Sequence, residues 1–265
     1  SLWGAEFINV NNQAYSLKTY SEFEDKVSGE FKDPVAAYLE VFSRLGPGEQ
    51  AWFQILMVPT DQKANRENAE KIIMKLKGIK PPEHKAGIIE QVLMFPLELL
   101  MSMVGIGGHH EEKKKDDWPQ ILKLSPIERD ILEATERKAS KICFSTKIRF
   151  IYLAKKTVFS KARISQPFVG AIKQTNTFHM QALKPDFKKT GMTSAIWWFK
   201  DKRNNARKTR LINFYRDRDQ GAGWPRFEMS AEELATIWHF PILMQVKAPA
   251  LRQIEAKKAT APSNI

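Results

Sequence analysis

Cys143-Phe-Ser-Thr-Lys-Ile-Arg-Phe-Ile-Tyr-Leu-Ala154 alternates, with Lys147 and Arg149 on one face and Ile148, Phe150 and Tyr152 on the other. A period of two is the signature of a strand, and polar residues on one face predict that it is half-buried. Upstream, Ser125-Pro126-Ile127-Glu128 is a capping box that opens a helix running to about Lys141. Its Ser hydroxyl and Glu carboxylate satisfy two orphan N–H groups reciprocally. Downstream, a helix is expected from about Ser160 to Thr177.

The same helix–strand–helix order occurs earlier. Asp33 caps a helix over 34–45, with Pro34 in the first turn where its missing N–H costs nothing. Gly46-Pro47-Gly48 stops it, and AWFQILMVP (51–59) is an apolar run rich in strand formers. Asp61 caps a second helix over 62–77, which ends at Gly78. The repetition predicts an α+β fold of two ferredoxin-like halves, each a split βαβ unit. Residues 1–78 form the first half, 79–124 an insertion, 125–241 a second, basic half, and 242–265 a linker.

Within the insertion, Lys80-Pro81-Pro82 breaks the chain and 86–107 is apolar. A buried or partner-packed helix, a membrane-surface helix and a membrane span are the three readings of 86–107. Glu90, Glu98 and Pro96 argue against a span. GIGGHHEEKKKDD (105–117) reads as a flexible charged loop. Its adjacent His109 and His110 lack the fixed spacing of metal ligands.

Charge is unevenly distributed. The chain has 265 residues and a net charge of +12, made of −3 over residues 1–143 and +15 over 144–265. Residues 184–218 alone hold 11 Lys and Arg against 3 Asp. Such asymmetry points to an anionic partner, nucleic acid or an acidic membrane surface. A helix is predicted from Ile196 to Arg218, on which Lys200, Arg203, Arg207 and Arg210 recur every three or four residues and share a face. The expected anion-contacting residues are Lys200, Lys202, Arg203, Arg207, Lys208 and Arg210. The interleaved Trp197, Trp198, Phe199, Phe214 and Tyr215 are assigned to the core, with base stacking as the alternative reading.

Signatures of catalysis are lacking. No G-x-x-x-x-G-K-[ST] loop exists; Gly105-Ile-Gly-Gly108 is too short, and Lys188-Lys189-Thr190-Gly191 has the wrong order. There is no G-x-S-x-G nucleophile elbow. The one cysteine, Cys143, sits in an apolar setting and reads as a buried, reduced thiol. His179 and His239 read as structural residues among apolar neighbours. No catalytic residue, metal or cofactor is expected, and the opening SLWGAEFINV does not have the form of a signal peptide.

The C-terminal part begins with a second capping box, Ser230 with Glu233, in which Met229 and Leu234 are spaced for a hydrophobic staple; the helix should stop before Pro241. EELATIWHFP and the following APALRQIEAKKATAPSNI resemble the junction upstream of the motor in conjugation-type ATPases. These are the HerA/FtsK-like and coupling-protein-like members of the type IV secretion world. DPVAAYLEVFSRLGPGEQAWFQILMVP (33–59), TKIRFIYLAKKTVF (146–159) and FKDKRNNARKTRL (199–211) are similar to the same family. The resemblance implies a non-catalytic N-terminal region of a DNA-translocating ATPase whose motor domain would continue past Ile265 or act in trans. It also implies an oligomeric assembly at the cytoplasmic face of the membrane, with DNA or partner subunits on the basic surface; the membrane-surface reading of 86–107 would add a contact with lipid there.

Overall fold

Residues 143–154 do form a strand, and it is the centre of the sheet. The computed structural model describes residues 1–25, 29, 31–77, 124–190 and 198–241. Among them, β1 (Leu2–Asn9), β2 (Glu49–Pro59), β3 (Cys143–Ala154), β4 (Leu183–Pro185) and β5 (Phe227–Ser230) build one five-stranded sheet in the order β2-β3-β1-β4. All pairings are antiparallel. β2 follows β3 from Phe144 to Ala154, while the opposite edge of β3 is shared between β1 and β5.

The expectation of two separate halves is therefore corrected. β1 and β2 come from residues 1–78 and β3, β4 and β5 from 125–241, yet they interleave in one sheet. Two or three strands per half would leave an unsupported ribbon, and a sheet gains independent stability only with more strands and a covered face. The apolar segment 86–107, the loop 105–117 and the linker 242–265 lie outside the described residues.

Local capping rules place the helices. In α1 (Pro34–Ser43) the Asp33 side chain accepts the Val35 N–H at 2.7 Å. In α2 (Gln62–Leu76) Asp61 accepts the Lys63 N–H at 3.0 Å. The helix α3 (Pro126–Ala139) opens with the expected Ser125–Glu128 capping box. The next helix, α4 (Ser165–Lys173), is shorter than the expected 160–177. The basic helix α5 (Lys200–Arg216) follows, and α6 (Ala231–Ile237) opens with the Ser230–Glu233 box. Glu233 also accepts the Leu17 N–H at 2.7 Å and lies 3.0 Å from the buried Lys138 ammonium of α3.

One face of the sheet carries α1 and α4. Phe168 of α4 stacks on Phe150 with ring centroids 3.7 Å apart and meets Phe53 edge-on at 5.2 Å. Tyr38 and Phe42 of α1 complete this aromatic cluster. The opposite face holds Lys147 and Arg149, which are buried, Arg149 with 0% of its surface exposed. The half-buried reading of β3 thus fails on its polar face. There the Arg149 Nε donates to Glu6 Oε1 at 2.8 Å, and its other nitrogens donate to Gln54 Oε1, the Phe214 carbonyl and the Asp219 carbonyl. The Trp224 N–H donates to the second Glu6 oxygen at 2.8 Å.

Close approach to this face requires glycine at two positions. A Cβ on Gly4 would lie 2.7 Å from Leu211 Cδ2 and 2.8 Å from the Phe150 carbonyl oxygen. Gly223 has φ +83°, and a Cβ there would collide with a Glu6 carboxylate oxygen. Leu211 on Gly4 and Tyr215 on Trp52 seat α5 against the sheet. Glu6→Ala should leave Arg149 buried without its counter-ion and lower unfolding stability by about 3–5 kcal/mol in chemical denaturation. Truncating the exposed Glu133 should change stability by less than about 1 kcal/mol.

Candidate anion-binding cleft

The turn that follows β4 is folded around one carboxylate. Asp186 accepts the backbone N–H groups of Lys188, Lys189 and Thr190 and the Thr190 hydroxyl, at 2.8–3.0 Å. This is how an Asp side chain organises a turn locally. The turn is fixed to β1 in both directions. The Asp186 N–H donates to the Glu6 carbonyl at 2.8 Å, and the Glu6 N–H donates to Thr190 Oγ1 at 3.2 Å. With its oxygens occupied, Asp186 is turned inward while Lys188 and Lys189 project from the turn.

Facing this turn is α5. Lys188, Lys189, Thr190, Arg203, Ala206, Arg207, Arg210, Phe214 and Gly223 together line a cleft of ≈ 410 Å³. Five of the nine are cations, and no carboxylate is among them. Arg207 Nη2 donates to the Lys188 carbonyl at 3.0 Å, which ties the helix to the turn. The Lys189 ammonium lies 4.5 Å from the centroid of the Trp224 ring. A concave site of one charge sign focuses its field and attracts anions. Guanidinium forks match the planar oxygens of phosphate.

The six expected anion-contacting residues separate in space. Arg203, Arg207 and Arg210 line the cleft. Lys200 begins the same row one turn earlier and is exposed. Lys202 and Lys208 stand one residue off the row, about 100° around the helix. Lys202 is exposed, and Lys208 lies 3.5 Å from Asn205 Oδ1. Lys188 and Lys189 are not among the expected residues, because Lys188-Lys189-Thr190-Gly191 has the wrong order for a phosphate loop. The signal available was the Asp186-x-x-x-Thr190 turn with two lysines at its tip.

The aromatic assignment also needs correction. Trp198 is 82% and Phe199 75% exposed, so neither belongs to the core. Phe214 and Tyr215 are partly buried, and Trp197 and Ile196 fall outside the described residues. The observed α5 starts at Lys200 because Phe199 takes a left-handed conformation, φ 58°, that ends the helix on its N-terminal side.

Other ionisable groups serve structure. Burial pushes the Lys147 ammonium below its ordinary range, and the Arg149 charge adds to this against the opposing pull of Glu6. Asp219 is held below the usual carboxylate range by N–H donation from Ala222 and Gly221. His239 Nε2 lies 3.1 Å from Asp33 Oδ1, and His179 is exposed, contrary to a packed structural role. A second cavity of ≈ 530 Å³, lined by Phe42, Phe53, Met57, Leu234 and Trp238 among others, is apolar and offers no charged group to a ligand. Among the described residues no helix is long and apolar enough to cross a membrane, and no group of three or more His, Cys, Asp or Glu is placed to hold a metal ion.

No protein-family model matches the chain, and no curated protein or solved structure does either. The fold and cleft define an antiparallel α+β protein with a concave cationic site.

Cys143 is fully buried, receives the Asn65 Nδ2–H on its sulfur at 2.9 Å, and is pushed up to about 11 chiefly by burial. Its reaction with a disulfide reagent at pH 8 should be on the order of 100-fold slower in the native protein than in denaturant. A native rate equal to the denatured rate would show an accessible thiolate instead.

Proposed function

We propose that this chain is a non-catalytic module that presents its cationic cleft to the phosphate backbone of nucleic acid. We further assign it as the region outside the motor of a conjugation-type DNA-translocating ATPase, seated in an oligomeric assembly at the cytoplasmic side of the membrane. The motor would act in cis or in trans. The observation that carries the nucleic-acid reading is the convergence of Lys188, Lys189, Arg203, Arg207 and Arg210 on one cleft. The motor assignment rests on the sequence resemblances of residues 33–59, 146–159, 199–211 and the C-terminal segment.

The fold is read here as a single ferredoxin-like unit in place of two. The segments β1–α1–β2 and β3–α4–β4 each skip one strand, and the resulting order β2-β3-β1-β4 has α1 and α4 packed together. That interleaving supports the reading as a split βαβ pair. On this reading α2, α3 and the residues between them are elaborations of the β2–β3 connection, and α5 is an addition after β4.

The cations would position the backbone and would not read bases, because no groove-reading motif accompanies them. The charge reversal Arg203→Glu/Arg207→Glu/Arg210→Glu should weaken binding of a labelled oligonucleotide at least about tenfold and lower the salt slope by about 2–3. Lys202→Glu/Lys208→Glu reverses two cations, where the first variant reverses three, but does so away from the cleft and should alter affinity less than about threefold. Equal losses from the two variants would mean that net charge, and not the cleft, attracts the ligand. Circular dichroism of both variants excludes unfolding as the cause.

A further inference from the structure

We infer that the cleft takes nucleic acid as a single strand, with Trp198 and Phe199 as stacking platforms for its bases. This rests on the nucleic-acid reading of the cleft and adds what kind of strand it admits. Two independent observations carry it, the dimensions of the cleft and the exposure of two aromatic rings at the N-terminal end of the helix that forms one of its walls.

The cations line a concave space of ≈ 410 Å³ between a turn and a helix and do not form a flat field. That volume falls in the small-ligand range of about 300–1,000 Å³. A nucleotide of an extended strand can enter it and bring its phosphate among Lys188, Lys189, Arg203, Arg207 and Arg210. A duplex can touch the rim only, since its two backbones and stacked pairs cannot fold into so small a recess. The cleft therefore favours a flexible backbone on steric grounds, before any base is considered.

The aromatic rings supply the second requirement. Trp198 and Phe199 are 82% and 75% exposed, far more than large apolar side chains are in a folded interior. They stand directly before Lys200, at the N-terminal end of the helix whose Arg203, Arg207 and Arg210 line the cleft. The Arg203 N–H donates to the Phe199 carbonyl at 2.9 Å, fixing this join between aromatic and cationic segments. Phe199 holds a left-handed backbone conformation, φ 58°, which a bulky residue rarely adopts. Trp224, the neighbour of the cleft-lining Gly223, lies under the Lys189 ammonium. Base faces are available to such rings only where they are unpaired, because in a duplex they are stacked on each other. Cationic grooves interleaved with stacking rings are the physical arrangement that binds single strands without sequence preference.

Fluorescence anisotropy tests the inference on the whole chain, with fluorescein-labelled oligo(dT) and a length-matched duplex over a salt series. Oligo(dT) should bind at least about tenfold more tightly than the duplex at equal salt. Trp198→Ala/Phe199→Ala should weaken oligo(dT) binding at least about tenfold while leaving its salt slope unchanged, because rings displace no counterions. Trp198→Phe/Phe199→Tyr should restore most of that loss, which a merely structural role would not require. Equal affinity for strand and duplex, or loss of less than about twofold in the alanine variant, overturns the single-strand inference while leaving the nucleic-acid reading intact. Binding of neither nucleic acid, together with cosedimentation on phosphatidylserine vesicles, overturns both and assigns the cations to a membrane surface.

Discussion

The Arg149 guanidinium and the Glu6 carboxylate meet in the interior, between the sheet and the segment that crosses its second face. Taking two such charges out of water costs several kcal/mol for each before they attract one another. Here the cost is offset by near-complete hydrogen bonding. Arg149 donates to Glu6, Gln54 and the carbonyls of Phe214 and Asp219, and Glu6 accepts from both Arg149 and the Trp224 backbone. Those partners lie on β1, on β2, at the end of α5 and in the loop beyond it. An apolar pair of similar volume would fill the space but would leave helix-end carbonyls without donors. The ion pair therefore does something packing does not, by fixing the direction and end point of α5.

That constraint explains how so polar a helix stays on the sheet. Only Leu211 of α5 is fully buried, seated over Gly4, where no side chain intervenes. Apolar burial on this scale is small, and the charged anchor at the C-terminal end carries the remainder of the positioning. The same anchor extends to the opposite wall of the cleft. The Glu6 carbonyl accepts from the Asp186 N–H and the Glu6 N–H donates to Thr190 Oγ1, so the residue that pairs with Arg149 also holds the lysine turn. Five cations brought to one cleft repel each other, a repulsion that an anion bound there would relieve.

Local chemistry made several elements readable from residue order. Asp33-Pro34, Asp61, Ser125–Glu128 and Ser230–Glu233 each place a helix start, because a cap needs only atoms within four residues. The apolar run of β2 and the alternation of β3 were equally visible. β1 is not among the expected strands, and Leu2–Asn9 contains Gly4 and Glu6, which interrupt an apolar pattern. Both residues are explained only by what lies above them, Leu211 and Arg149. The short strands β4 and β5 were missed for a related reason: three or four residues carry no period, and their pairing partners define them. The exposure of Trp198 and Phe199 ran against the expectation for large rings.

Sequence alone determined the helix boundaries set by caps, the two long strands, the charge asymmetry and the row Arg203, Arg207 and Arg210, all products of interactions within one or two turns of chain. Tertiary structure alone decided that the two regions share a sheet, that Lys147 and Arg149 are interior, and that Lys188 and Lys189 join the arginine row. Each of these depends on contacts between residues far apart in the chain, as with Arg149 and Glu6, 143 positions distant. A period in the sequence says which side chains share a face, but what covers that face is a property of the folded whole.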